Sequence, residues 1–156
     1  MPDDARIPKD NPFVGQRNAK PEVYSYGHRN PQGMTLHPVT GEVWTHEHGP
    51  QGGDEINIIH SGKNYGWPVI THGIDYTGAM ITRFVERDGM EQPLLHWTPS
   101  IAPSGMTRYR GEMFPDWQGN LLVGALADRS IHRVTLDGRK ASDVERMLEE
   151  RGERIR

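Results

Sequence analysis

The tripeptide Gly33-Met34-Thr35 returns as Gly105-Met106-Thr107, 72 residues further along, and the segments after each copy follow in the same order. In the first copy, Met34 and Leu36 share a face, residues 39–42 read as a turn, and Val43-Trp44-Thr45-His46-Glu47-His48 is β-rich by propensity. Glu55-Ile56-Asn57-Ile58-Ile59-His60 then alternates, with Ile56 and Ile58 on one side. In the second copy, residues 120–126 and 130–138 take these two places, and a Gly-Lys or Gly-Arg-Lys turn closes each copy. A strand, turn, strand, loop, strand unit that recurs and cannot bury its own faces is the mark of radial or solenoid architecture. Antiparallel units with glycine-rich loops fit propeller blades best. On pattern alone, two unrelated β-meanders in one sandwich remain the alternative.

Composition supports short strands over long helices. Gly (18) and Pro (12) together make up about a fifth of the 156 residues, and apolar residues are only 34%, below the roughly 45–50% of ordinary domains. Four Trp, five Tyr and three Phe argue against disorder. Residues 1–21 read as an extended lead, and Val23-Tyr24-Ser25-Tyr26 as a short strand. In residues 142–151 the spacing of Val144, Met147, Leu148 and Arg151 predicts a short helix. No linker separates the halves, so residues 1–156 form one partial domain.

Several function classes fall away. With 18 Lys and Arg against 21 Asp and Glu, the formal charge is −3; no basic excess faces phosphate, so no nucleic acid partner is expected. No apolar run approaches the ~20 residues of a membrane span. Cysteine is absent, which excludes disulfides and thiolate metal sites. The N-terminal MPDDARIPKDNP has no apolar core, so no signal peptide is expected there.

Five segments carry groups suited to chemistry. His46 and His48 would share a face of a strand, where two imidazoles with Asp54 nearby could hold zinc or simply face solvent. The loop from Glu47 to Glu55, Glu-His-Gly-Pro-Gln-Gly-Gly-Asp-Glu, gathers acceptors and backbone carbonyls, the hard oxygen ligands calcium prefers; a polar glycine turn is the alternative. Gly27-His28-Arg29-Asn30-Pro31-Gln32-Gly33 sets a cation, an amide and an imidazole between glycines. Pro99-Ser100-Ile101-Ala102-Pro103-Ser104-Gly105 is rigid and hydroxyl-rich. In an extended strand the terminal Arg154 and Arg156 could clamp carboxylates bidentately, or form a solvated tail.

Together with Asn64-Tyr65-Gly66-Trp67-Pro68, these segments resemble, in order and spacing, the soluble aldose sugar dehydrogenases of the glucose/sorbosone dehydrogenase family, which use pyrroloquinoline quinone. The resemblance starts at Ile7-Pro8-Lys9-Asp10-Asn11-Pro12-Phe13 and covers nearly the whole chain. It implies an all-β fold: a C-terminal portion of a six-bladed β-propeller, two to three antiparallel blades of three or four strands each. Residues 142–151 would then be extended, against their helical spacing.

The resemblance also implies roles. Arg29 and Asn30 would contact the quinone and the substrate side of its cleft, and His48 and Asp54 would line the same cavity. Ser100 matches a hydroxyl near the cofactor, and Arg154 and Arg156 match the pair that holds its carboxylates. The carbonyls of Gly49 and Pro50 would ligate the cofactor's calcium, and a second, structural calcium would fall near Thr71, Gly73 and Asp75. The implied activity is oxidation of an aldose at C1, with an external electron acceptor and a periplasmic or secreted location. Two departures qualify this. The family's catalytic base lies N-terminal to everything here, so none of the eight histidines inherits it and the chain alone is expected to be inactive. Where relatives carry a lysine near the cofactor this chain has Ala127, with Arg129 two residues on as a candidate substitute. The alternative is a non-catalytic propeller module that binds a ligand or partner.

Overall fold

A computed structural model describes residues 6–37, 40–138 and 140–156. Val39 and Arg139, each part of an expected turn, and the first five residues of the lead lie outside them. The eight strands are β1 (Pro31–Leu36), β2 (Val43–Glu47), β3 (Asp54–Ile59), β4 (Leu95–Trp97), β5 (Pro103–Arg108), β6 (Leu121–Ala125), β7 (Ile131–Asp137) and β8 (Lys140–Met147). They form two four-stranded meanders, β1-β2-β3-β4 and β5-β6-β7-β8, with every neighbouring pair antiparallel. These are two blades of a partial β-propeller. The repeat therefore marks architecture, and each unit has one strand more than the three its pattern displays.

The fourth strands are the least legible in sequence, for different reasons. β4 is three residues long and follows an irregular stretch after β3. β8 has helical spacing, yet it pairs with β7 from Asp137↔Lys140 to Ile131↔Met147. Cross-strand bonding along a blade edge outweighs the helix propensity of Glu and Arg, because propensity yields to tertiary context. The extended form implied by the family resemblance holds through Met147, and only Glu149–Arg151 coils, as a single 3₁₀ turn. The stretch Val23–Tyr26 is reduced to an isolated parallel bridge, Tyr26↔Asn64.

The core lies between the blades. Trp44, Ile56 and Trp97 from the first blade meet Leu121, Val123, Ala125 and Val134 from the second, with Ile101 between them. Burying each large apolar side chain contributes about 1.5–3 kcal/mol. Alternation explains the selection: in β6, Leu121, Val123 and Ala125 are buried while Leu122 and Gly124 are partly exposed. Among the described residues, no helix is long and apolar enough to cross a membrane.

Candidate functional site

The loop after β2 folds back on itself tightly enough to need glycine. A Cβ on Gly49 would strike the backbone of Gly52 and Gly53, and a Cβ on Gly53, whose φ is +73, would lie 2.7 Å from Gly73 N. The result presents carbonyl oxygens at the end of the first blade. Arg29 Nη1 donates to the carbonyls of His48 and Gly49, at 2.9 Å each. Its guanidinium lies 5.4 Å from the Trp67 ring centroid and 5.8 Å from that of Tyr76, and Nη2 donates to the Tyr76 hydroxyl at 3.3 Å. The cation is thus held by carbonyls at its tip and aromatic faces around it, each such face contributing about 0.5–2 kcal/mol.

Two buried carboxylates organise the surroundings. Glu47 accepts from the backbone N–H of Arg29 (2.6 Å) and of Asn30 (3.2 Å), and from Asn57 Nδ2 (3.1 Å); its Oε1 lies 3.1 Å from His28 Nδ1. Burial alone would raise its pKa, but these bonds outweigh burial and hold it below the usual carboxylate value. Asp54 is fully buried. Its Oδ1 accepts from Gly49 N–H at 2.8 Å; its Oδ2 accepts from Ser100 Oγ (2.6 Å), Ile101 N–H (2.8 Å) and Ala102 N–H (2.7 Å). One side chain therefore ties the carbonyl loop to the Ser100 segment.

A cavity of about 20 Å³ is lined by Gly27, Arg29, Glu47, His48, Gly49 and Glu55, among others. It has room for one water or one ion. Glu55 went unnoticed as a distinct site residue in sequence because it reads as an ordinary polar strand position. Burial, with the Glu47 and Asp54 charges adding, pushes its pKa to about 7 against an opposing bond from Asn57. Trp67 and Tyr76 were also missed: the first sat inside a Tyr-Gly-Trp-Pro run, the second in a loop with no periodic signal. Tyr76 is 72% exposed, yet its loop is anchored, because Gln51 and Ile74 exchange backbone bonds at 3.1 Å each way.

A sequence model of the glucose/sorbosone dehydrogenase family matches residues 1–156. The chain belongs to the glucose/sorbosone dehydrogenase family. It is 46% identical over 158 residues to the aldose sugar dehydrogenase YliI of Escherichia coli (strain K12), a match covering 100% of this chain and 43% of that protein. The crystal structure of a glucose dehydrogenase superposes with a TM-score of 0.92 at 53% identity, over 96% of this chain and 44% of that one. The PQQ-bound form of aldose sugar dehydrogenase from Streptomyces coelicolor superposes with a TM-score of 0.66 at 29% identity, covering 96% and 39%. The chain spans less than half the length of these relatives.

Against the roles expected from this family, the residues divide into two groups. Arg29, His48 and Gly49 line one cavity; Asp54 and Ser100 bond to each other behind it; Asn30 is exposed at its edge. The His48 ring is anchored across the blade interface, with Nε2 2.7 Å from the Pro103 carbonyl oxygen. Pro50 is buried, and among the described residues no donor reaches its carbonyl. Thr71 joins the cavity lining, whereas the Asp75 carboxylate accepts from Thr77 N–H (2.9 Å) and Oγ1 (2.7 Å), bonds that lower its pKa.

The second group is on the C-terminal segment and the loop beside it. Arg154 and Arg156 are exposed; Ile155 between them donates its N–H to the Ala125 carbonyl at 3.2 Å and accepts from Ser104 Oγ at 2.7 Å, next to the Pro103 that meets His48. Ala127 is exposed; Arg129 Nη1 donates to the Gly152 carbonyl at 3.2 Å, on the segment that leads to the terminal arginines.

The donor set suits a hard cation better than zinc. No group of three or more His, Asp or Glu side chains is arranged to hold a metal among the described residues. His46 is fully buried, neither ring nitrogen has a hydrogen-bond partner, and burial lowers its pKa to about 4. The Gly49 and Pro50 carbonyls, at a loop rigidified by Asp54, are oxygen ligands of the kind calcium takes.

Proposed function

We propose that this chain forms the cofactor- and calcium-holding part of a quinoprotein that oxidises aldose sugars at C1, with pyrroloquinoline quinone as hydride acceptor. The observation that carries the reading is Arg29 itself: a guanidinium fixed on the His48 and Gly49 carbonyls between Trp67 and Tyr76, at the mouth of a cavity. The bound quinone would supply the two-electron chemistry, and calcium would polarise it.

The chain's own residues would bind and orient. The Pro50 carbonyl, together with the second lone pair of the Gly49 carbonyl, whose first takes the Arg29 bond, would hold calcium. Arg29 and Asn30 would face the quinone and the sugar, with His48 beside them. Asp54 would keep Ser100 and the carbonyl loop at fixed separation, so that little ordering is needed on binding. Arg154 and Arg156 would neutralise the cofactor's carboxylates, each charge-assisted bond contributing about 1.5–3 kcal/mol. No residue here would take the proton from the sugar. An external acceptor would then reoxidise the cofactor, in the periplasm or outside the cell.

A second reading has one observation in its favour. Ala127 stands where relatives carry a cation, and Arg129 is engaged with Gly152. This favours a propeller module that binds a ligand without turnover. Dye-linked oxidation of aldoses, with quinone and calcium supplied, separates the two. A longer protein that joins these residues to the N-terminal blades should reduce the dye, and residues 1–156 alone should not. Absence of turnover in the longer protein would leave the binding-module reading in place. Turnover by the chain alone would show that a base lies within it.

A further inference from the structure

The second blade carries an uncompensated arginine at the end away from Arg29. β5 begins at Pro103, whose carbonyl meets His48, and ends at Arg108; a strand of this length sets its two ends roughly 17 Å apart. Arg108 lies opposite Leu121 of the interblade core, and Met106, two residues before it, packs on that core. Cross-strand partners and i, i+2 neighbours share a face. The Arg108 side chain therefore stands on the side of the second blade that meets the first, in the seam this chain forms by itself.

Arg108 Nη1 is buried and has no hydrogen-bond partner, and among the described residues neither Arg108 nor Arg110 forms an ion pair. A buried charged donor left without an acceptor is costly. A neighbouring cation is treated differently: Arg133 donates to Glu145 Oε2 at 2.7 Å and to Asn120 Oδ1 at 2.9 Å, and lies 5.4 Å from the Trp117 ring centroid. Glu112 and Asp116, the acidic residues of the loop between β5 and β6, are exposed and pair with neither open arginine. The loop is nonetheless well held. Tyr109 and Trp117 meet edge to face at 5.7 Å, and Phe114 stacks on Trp117 at 4.3 Å. Gln118 Nε2 donates to the Gly111 carbonyl. Gly119 has φ +80, and a Cβ there would lie 2.9 Å from Arg108 Nη2, so the loop closes against the guanidinium only with glycine. The Tyr109 hydroxyl accepts from Phe114 N–H at 3.0 Å, which leaves its own proton to donate. Arg108, Tyr109, Arg110, Gln118 and Gly119 together line a cavity of about 430 Å³.

We infer that this cavity binds a phosphate group, free or carried on a small molecule. Arg108 is the anchor, since its Nη1 is the buried donor that lacks an acceptor, and Arg110 is the exposed second cation at the mouth. Two guanidinium charges match the double charge that phosphate carries near neutral pH, and their planar forks suit its oxygens. The Tyr109 hydroxyl supplies a further donor to the same anion. The site lies at the opposite end of β5 from His48 and does not depend on whether the Arg29 cavity holds a quinone.

Isothermal titration of inorganic phosphate into the chain, at constant ionic strength and without calcium or quinone, tests this. Near-UV circular dichroism of the tryptophans checks that each variant is folded. The wild type should bind one phosphate. Arg108→Leu, which places an apolar side chain beside Leu121 and Met106, should weaken binding about tenfold or more. Arg110→Gln, at an exposed position that folding does not rely on, should weaken it about threefold or more. Arg29→Ala and the double variant Arg154→Ala/Arg156→Ala should bind phosphate as the wild type does, because those arginines stand elsewhere. Glycerol 3-phosphate distinguishes the two sources: tighter binding than inorganic phosphate assigns a phosphorylated small molecule, and equal or weaker binding assigns free phosphate. A wild type that binds no phosphate, binding unchanged in both Arg108→Leu and Arg110→Gln, or binding lost instead in Arg29→Ala or the terminal double variant would overturn the proposal.

Discussion

The Trp97 indole N–H donates to Asp143 Oδ2 at 2.7 Å, tying the last strand of the first blade to the last strand of the second. The same oxygen lies 2.5 Å from His132 Nδ1, and His132 Nε2 lies 2.8 Å from Asp128 Oδ2. With a carboxylate at each ring nitrogen, His132 can satisfy both only as a double donor, that is, protonated. Burial opposes its charge, but the bonds and charges of Asp143 and Asp128 outweigh burial and raise its pKa.

The pH consequence has a definite sign. A histidine whose pKa is raised by folding stabilises the native state fully below its unfolded value of ~6.5, and that contribution is lost as pH rises through the folded value. Asp128 works the other way. Burial opposes its ionisation, yet bonds from Ser130 and His132 and the Arg146 charge lower its pKa, so its contribution fades as pH falls through that lowered value. Asp143→Asn should cost about 1–3 kcal/mol near pH 6 and flatten the loss of stability above neutrality. Thermal unfolding between pH 5 and 9 checks both; parallel curves for variant and wild type would contradict the assignment.

Glu55 supplies an opposite signature. Its pKa of about 7 lies above the ordinary 4.5, so the folded state retains a proton that the unfolded state releases. That group costs stability as pH rises between the two values. In calcium-free buffer, Glu55→Gln should raise the midpoint of thermal unfolding at pH 8, by the equivalent of roughly 1–3 kcal/mol, and change it little at pH 4. Equal effects at both pH values would show that the carboxylate is not the cause.

Asp54 is the residue whose loss should be felt on both stability and binding. It accepts four hydrogen bonds with no exposure to water. Asp54→Ala leaves those donors unpaired, with a cost of about 3 kcal/mol or more. Denaturant titration gives the size. Limited proteolysis should cut near Ser100 in the variant, and protection equal to wild type would argue that the segment is held by something else.

The sequence made the blades legible where side chains alternate against a core, as in Ile56, Ile58, Leu121 and Val123. It was silent where a strand is short, as in β4, and misleading where a polar edge strand mimics a helix, as in β8. The site divides similarly. Arg29, His48 and Gly49 could be singled out because glycines bracket them and the family resemblance assigns them roles. Glu55, Trp67 and Tyr76 could not, since their part depends on distant loops folding around Arg29: Glu55 and Trp67 share its cavity, and Tyr76, 47 residues on, meets its guanidinium.

The central claim is that these residues hold pyrroloquinoline quinone with calcium, and equilibrium binding tests it without turnover. Trp67, 5.4 Å from the Arg29 guanidinium, serves as a fluorescent reporter when the quinone is titrated into the chain. The account predicts saturable quenching that requires calcium, is abolished by a chelator, and weakens at least tenfold, or about 1.4 kcal/mol, in Arg29→Ala. Quenching that is absent, or that is the same with chelator and in Arg29→Ala, would contradict it.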